Sequence, residues 1–180
     1  GLTNNEINEL CGDKNGRMYI RSGNDLIKLD IYTEQFTCLR QKGVYGLFCK
    51  KDTLWVSCAD GIYYYTGQGT ELTFFARVQK GFVGRALYVD RETVWVVTRK
   101  YLVAISREDP LRQEILLTLD KGNCILGDSS GNIWVGAWNG LYRVSPDRET
   151  TAYVSHSGMG ELSDNQVRCV LEDDFKHIWV

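Results

Sequence analysis

Three lysines, each followed directly by glycine, recur along the chain at Lys42, Lys80 and Lys121. Arg99-Lys100 adds an adjacent pair of cations, and Trp138-Asn139 sets an indole beside a carboxamide. Ammonium and guanidinium groups gathered in one place accept carboxylate or sulfate oxygens. An exposed indole stacks on the apolar face of a sugar ring, and exposed aromatics are enriched at binding surfaces. Each residue also has a plainer reading: a solvated turn lysine, or a tryptophan that covers its neighbour. The choice depends on whether the fold gathers Lys42, Lys80, Arg99, Lys100, Lys121, Trp138 and Asn139 on one face.

Other chemistry has less support. The two histidines, His156 and His177, have no Ser or Cys near them in a triad-like pattern. No H-E-x-x-H or comparable metal spacing occurs. The Asp-x-x-Gly turns resemble half of a calcium loop but lack its closing glutamate. Glu172-Asp173-Asp174 falls at a hairpin, so no glycosidase pair can be argued from it. No enzymatic activity and no cofactor are expected. Cys11, Cys38, Cys49, Cys58, Cys124 and Cys169 form no C-x-x-C pair. They read as free, buried thiols, with a disulfide or a metal site as the alternative.

The elements that must position these residues follow from composition and repetition. The chain has 180 residues, enough for one domain with a real core, and a net charge of −2. That balance gives no electrostatic footprint for nucleic acid or an anionic membrane. Eighteen Gly, only two Pro and 12% aromatic residues point to strands joined by tight turns. No apolar run is long enough to span a bilayer, and the first residues are polar rather than signal-peptide-like.

Tyr19, Trp55, Trp95, Trp134 and Trp179 each sit between two apolar residues, in the strings MYI, LWV, VWV, IWV and IWV. Seven residues after the first four come Leu26, Ile62, Leu102 and Leu141; ten after come Leu29, Tyr65, Ile105 and Val144. In the fourth unit, four strand-like runs follow one another: 124–128, 132–137, 140–145 and 150–155. Asp-Gly and Asn-Gly steps at Asp60-Gly61 and Asn139-Gly140 are strong hairpin signals. Four antiparallel strands about every 40 residues is the period of a β-propeller blade. The expectation is all-β: a β-propeller fragment of about four four-stranded antiparallel blades plus the start of a fifth. The units span about 2–42, 43–81, 82–122, 123–161 and 162–180, the last truncated. The repeated Trp is then a packing residue between blades. The final stretch, LSDNQVRCVLEDDFKHIWV, repeats the plan of residues 2–20, so Val180 interrupts a fifth blade.

LTNNEINELCGDKNGRMYI, NCILGDSSGNIWVGAWNGLYRV and LSDNQVRCVLEDDFKHIWV resemble two-component regulator propeller repeats. Asn5 and Asn165 fill the family's Asn position. Asp13, Asp128 and Asp173 fill its Asp position, Gly16 and Gly131 its turn Gly, and Trp134-Val135-Gly136 its core string. The second and third units match only at the Trp and the third strand. The resemblance implies the extracytoplasmic, periplasmic sensor propeller of a bacterial hybrid two-component sensor histidine kinase. Such sensors commonly detect oligosaccharides. The remaining propeller, transmembrane and kinase parts would belong to the parent protein.

In a propeller, the turn between the second and third strands lies at the same end as the connection from the fourth strand to the next blade. Those turns are Gly23-Asn24, Ala59-Asp60, Arg99-Lys100 and Trp138-Asn139. The connections are 41–43, 79–81, 120–122 and 155–161. Lys42, Lys80, Arg99, Lys100, Lys121, Trp138 and Asn139 are therefore expected to contact an oligosaccharide ligand, with an anionic one favoured by their charge. Arg99-Lys100 lacks the Asn or Gly of its sister turns, and such a break in local consistency hints at function or strain. The alternative is a protein–protein interaction scaffold with no small-molecule ligand. Open blade faces also predict self-association.

Overall fold

The structure, a computed structural model, describes residues 2, 5–155 and 162–180. Most of the expected connection 155–161, including His156, lies outside the described residues. The chain is all-β, as its alternating aromatic and β-branched runs predict. One sheet runs in sequence order through β1 (Ile7–Gly12), β2 (Arg17–Ser22), β3 (Asp25–Asp30) and β4 (Gln35–Lys42). A second holds β5 (Val44–Lys50), β6 (Thr53–Cys58), β7 (Gly61–Tyr65) and β8 (Thr73–Ala76). A third holds β9 (Gly84–Val89), β10 (Thr93–Thr98), β11 (Tyr101–Ser106) and β12 (Gln113–Thr118). A fourth holds β13 (Cys124–Gly127), β14 (Ile133–Ala137), β15 (Gly140–Val144) and β16 (Thr150–Tyr153). The strands β17 (Leu171–Glu172) and β18 (Ile178–Trp179) form a two-stranded fifth sheet. These are four blades of propeller type and the first hairpin of another.

The chain divides into two compact units, Gly1–Val89 and Asp90–Val180. In the first, Tyr19, Leu26, Leu47, Leu54, Val56 and Tyr65 form one apolar core between neighbouring sheets. Strand β9 packs on β5 so closely that a Cβ on Gly46 would lie 2.6 Å from the Arg85 carbonyl oxygen. A buried Ser57 hydroxyl donates to the Gly84 carbonyl at 2.7 Å, and Lys50 Nζ donates to the Val89 carbonyl at 2.6 Å. In the second unit, β10 and β11 are buried along nearly their whole length. Such strands contribute about 1.5–3 kcal/mol per fully buried Val, Leu or Ile.

The residues seven positions after each aromatic, Leu26, Ile62, Leu102 and Leu141, are all buried, which fixes the register of every third strand. Tyr19, Trp55 and Trp95 are buried too, and Trp134 is half-buried. Trp179, on the two-stranded fifth sheet, is 60% exposed.

The cysteines depart from the expectation of buried thiols. All six are free, but only Cys58 is buried, while Cys38 and Cys169 are exposed. Cys38 lies on β4, the outermost strand of its sheet, where one side of the strand faces solvent. Cys169 precedes the two-residue β17 rather than lying within a paired strand.

Candidate functional site

At four first hairpins an aspartate closes the turn and braces the aromatic residue of the next strand: Tyr19, Trp95, Trp134 and Trp179. Asp128 Oδ1 accepts the Ser130 and Asn132 amides at 2.9 and 2.8 Å, and its Oδ2 accepts Trp134 Nε1 at 2.8 Å. Asp90 does the same for Glu92, Thr93 and Trp95 Nε1, the last at 2.6 Å. Asp173 serves Phe175, His177 and Trp179 Nε1, and Asp13 serves Asn15, Arg17 and the Tyr19 hydroxyl. One carboxylate thus closes the turn and satisfies a ring donor. Burial pushes the Asp128 carboxyl up, but hydrogen bonds from Trp134, Asn132 and Ser130 outweigh it and the net shift is downward. Trp179 Nε1, with the hydrogen bonds of His177, holds Asp173 down at about 2. These aspartates position strands, and their oxygens are already committed to the hairpin.

At the other end of the strands, the second unit brings three segments together. The connection from β12 to β13 runs between two turns and is stitched to both. Leu119 N donates to the Lys100 carbonyl at 2.8 Å, and Gly122 N to the Arg99 carbonyl at 3.1 Å. Trp138 N donates to the Asp120 carbonyl at 2.9 Å, and Asn139 Oδ1 accepts the Asp120 amide at 3.0 Å. Arg99, Lys100, Lys121, Trp138 and Asn139 therefore share one end of this unit, held by backbone rather than by their own charges.

Lys121 Nζ lies 3.6 Å from the centre of the Trp138 ring. Trp138 remains 44% exposed. A cation over an exposed indole is worth about 0.5–1 kcal/mol, enough to bias where the ammonium rests. Asp120, exposed beside Lys121, is the acidic group among these cations. Tyr142 lies under this end; burial raises its hydroxyl pKa, while a hydrogen bond with Asn139 opposes the rise.

Gly122 is required by close approach. A Cβ there would stand 2.3 Å from the Thr98 carbonyl oxygen and 2.7 Å from Val97 Cγ1. Lys121 itself takes a left-handed backbone at φ 49°. The Arg99-Lys100 turn also has a local cause. The buried Thr98 Oγ1 accepts the Tyr101 amide at 2.8 Å and the Lys100 amide at 3.2 Å, doing the work of the Asn or Gly in the sister turns. Its unusual sequence is explained by that hydroxyl, which the sequence reading did not credit.

Lys42 and Lys80 belong to the first unit. Lys42 is the last residue of β4, opposite Asp25, rather than a free connection residue, and Gly43 after it takes the left-handed turn at φ 67°. The Lys42 side chain lies outside what the structure describes. Lys80 is exposed in a single 3-10 turn, Gln79–Gly81, at φ 58°.

The second unit also has a depression at the opposite end of its strands, about 450 Å³, which sequence reading did not anticipate. Glu92, Arg112, Glu114 and Arg148 line it. Arg148 lies 4.9 Å from the Trp95 ring centre and 3.5 Å from Glu114, so its charge is partly spent inside the protein. Among the described residues, no group of three or more His, Cys, Asp or Glu is placed to hold a metal ion.

No protein-family model and no curated protein matches the sequence. Solved structures do match. The extracellular domain of the hybrid two-component system BT4673 from B. thetaiotaomicron superposes with a TM-score of 0.81 at 18% identity, over 97% of this chain. The extracellular domain of BT3049 from the same organism gives 0.81 at 17% identity, over 99% of this chain. In both cases this chain spans 26% of the matched chain. A Nidogen/Laminin complex matches at a TM-score of 0.70 and 11% identity, over 86% of this chain and 65% of its own. Four four-stranded antiparallel blades in series, with a fifth begun, give this chain the fold of the extracellular domains of those two-component systems.

Proposed function

We propose that this chain is part of the extracytoplasmic, periplasmic sensing domain of a bacterial two-component sensor, and that its ligand is an anionic oligosaccharide. The observation that carries the reading is the Lys121 ammonium 3.6 Å over a Trp138 ring that stays 44% exposed. A sugar ring packs on the indole while its carboxylate or sulfate meets Lys121, with Arg99 and Lys100 on the adjoining turn. A neutral sugar gains the stacking but must compete with Lys121 for one ring face. Asn139 holds the turn and offers its remaining hydrogen-bonding capacity. Lys42 and Lys80, at the connections of their own sheets in the first unit, are cations of the same kind, and the reading at Lys121 and Trp138 stands without them. The signal would pass to kinase and membrane parts of the parent protein. The extracellular domains with the same fold belong to such systems, which supports this placement.

Calorimetric titration with matched acidic and neutral oligosaccharides tests it. Acidic ligands should bind more tightly, and charge reversal at Arg99 and Lys121 should weaken them at least tenfold, about 1.4 kcal/mol. Binding of neutral sugars alone, or binding indifferent to those reversals, contradicts the reading.

A protein-interaction role has its own support. Phe175, Leu171 and Trp179 are 81%, 58% and 60% exposed on and around the fifth sheet, and one structure of the same fold is a protein complex. Clustered apolar side chains of this kind favour association, including with a second copy. Light scattering across a concentration series should show mass rising with concentration; a monomer at every concentration removes that reading.

A further inference from the structure

Cys11 on β1 and Cys49 on β5 belong to different sheets of the first unit and lie 38 residues apart in sequence. Their sulfur atoms stand 2.6 Å apart. A disulfide bond is about 2.05 Å long, so closing this gap needs about half an ångström of movement. The strands that carry them are already packed together, and both side chains lie against the core of Tyr19, Leu47 and Leu54. We infer that Cys11 and Cys49 are a disulfide-forming pair that staples the first sheet to the second. That the pair is oxidised in the cell rests on the extracytoplasmic reading above, because disulfides persist in oxidising compartments.

The step balances with a disulfide oxidant such as oxidised glutathione. One cysteine thiolate attacks a glutathione sulfur, forming a mixed disulfide and releasing one glutathione thiol. The second cysteine attacks the mixed disulfide, releasing the other. The Cys11–Cys49 bond forms, the glutathione S–S bond breaks, and both cysteine protons end on the two glutathione thiols. The hydrogen bond with Cys49, then burial, hold the Cys11 thiol protonated. Oxidation should therefore quicken as pH rises, since the thiolate is the nucleophile.

The whole chain is incubated with oxidised glutathione at pH 8, alkylated, and read by intact mass and peptide mapping. The expected result is loss of two of the six alkylatable thiols and one cross-linked peptide pair containing Cys11 and Cys49. The melting temperature should rise by about 5 °C or more and fall back on reduction with dithiothreitol. Cys11→Ser and Cys49→Ser should each abolish the shift, and the double variant Cys38→Ser/Cys169→Ser should keep it. Six alkylatable thiols after oxidation, or a cross-link running through Cys38 or Cys169 instead, overturns the inference, and the wild-type chain alone decides this. Acid-quenched alkylation of cells reads the compartment separately. A pair that oxidises in glutathione but is reduced in cells leaves the staple standing and removes the extracytoplasmic reading.

Discussion

Lys80 and Lys121 start from the same dipeptide, Lys-Gly, and take the same left-handed backbone, at φ 58° and 49°. Their surroundings differ. Lys80 sits in an exposed 3-10 turn, and a Cβ on Gly81 would meet nothing within 4 Å. Lys121 sits on a connection stitched to two turns, beside a glycine wedged against Thr98, with its ammonium over Trp138. The dipeptide therefore records a backbone need that both connections share. The candidate site comes from what the neighbouring turns add to one of them. A recurring motif marks the scaffold, and the exception beside it marks the place where a ligand can be held.

That contrast is most easily broken at the glycines. Gly122→Ala forces a methyl against a backbone oxygen 2.3 Å away and should cost about 2–4 kcal/mol in urea unfolding. Gly81→Ala meets only the left-handed backbone penalty and should cost about 1 kcal/mol. Equal costs would mean that the two connections are equivalent after all.

The lysines come next. Lys121→Gly keeps the left-handed turn and removes the cation. It should leave stability within about 1 kcal/mol, because the lost cation–π contact is offset by relief at φ 49°. It should weaken an acidic oligosaccharide by about tenfold, or 1.4 kcal/mol. Lys80→Gly should change that affinity by less than about twofold, since its exposed 3-10 turn offers only a solvated charge.

Acid gives the smallest effect and tests the Asp128 brace on Trp134, in the sheet whose next turn carries Trp138. Asp128 and Asp173 are held below the ordinary carboxylate range when folded. Their stabilisation is fully present above the unfolded value near 4, and is lost as pH falls through the folded values, near 2 for Asp173. Unfolding curves between pH 5 and 2 should show stability falling with pH, and Asp128→Asn should flatten part of that slope. A slope unchanged by Asp128→Asn would detach the brace from the stability of this sheet.

Much of the fold was legible because its signals are local. Asn139-Gly140 and the run Ile133–Ala137 fix a hairpin within a few residues, and the register follows from Leu141 seven residues past Trp134. The Asp–Trp brace was equally local, five or six residues long. It was missed because Asp128 was credited to the turn and Trp134 to the core. Contacts between segments were less legible. Nothing in Lys121 or Trp138 alone says that they meet, since the connection and the turn are brought together by the Asp120 and Gly122 backbone. Thr98 shows the reverse case, a buried hydroxyl that makes an unusual turn ordinary. Cys38 and Cys169 misled because a thiol's burial depends on whether its strand is covered, which composition cannot report.

The most direct test is the indole N–H resonance of Trp138, assigned with Trp138→Phe, during titration with an acidic oligosaccharide. Trp95, Trp134 and Trp179 serve as internal references, because their Nε1 groups are bonded to Asp90, Asp128 and Asp173. The account predicts that the Trp138 signal moves to saturation with the acidic ligand while the three references stay still, and that Lys121→Gly weakens the response about tenfold. A Trp138 signal that stays in place while calorimetry reports saturable binding would put the ligand elsewhere and contradict the account.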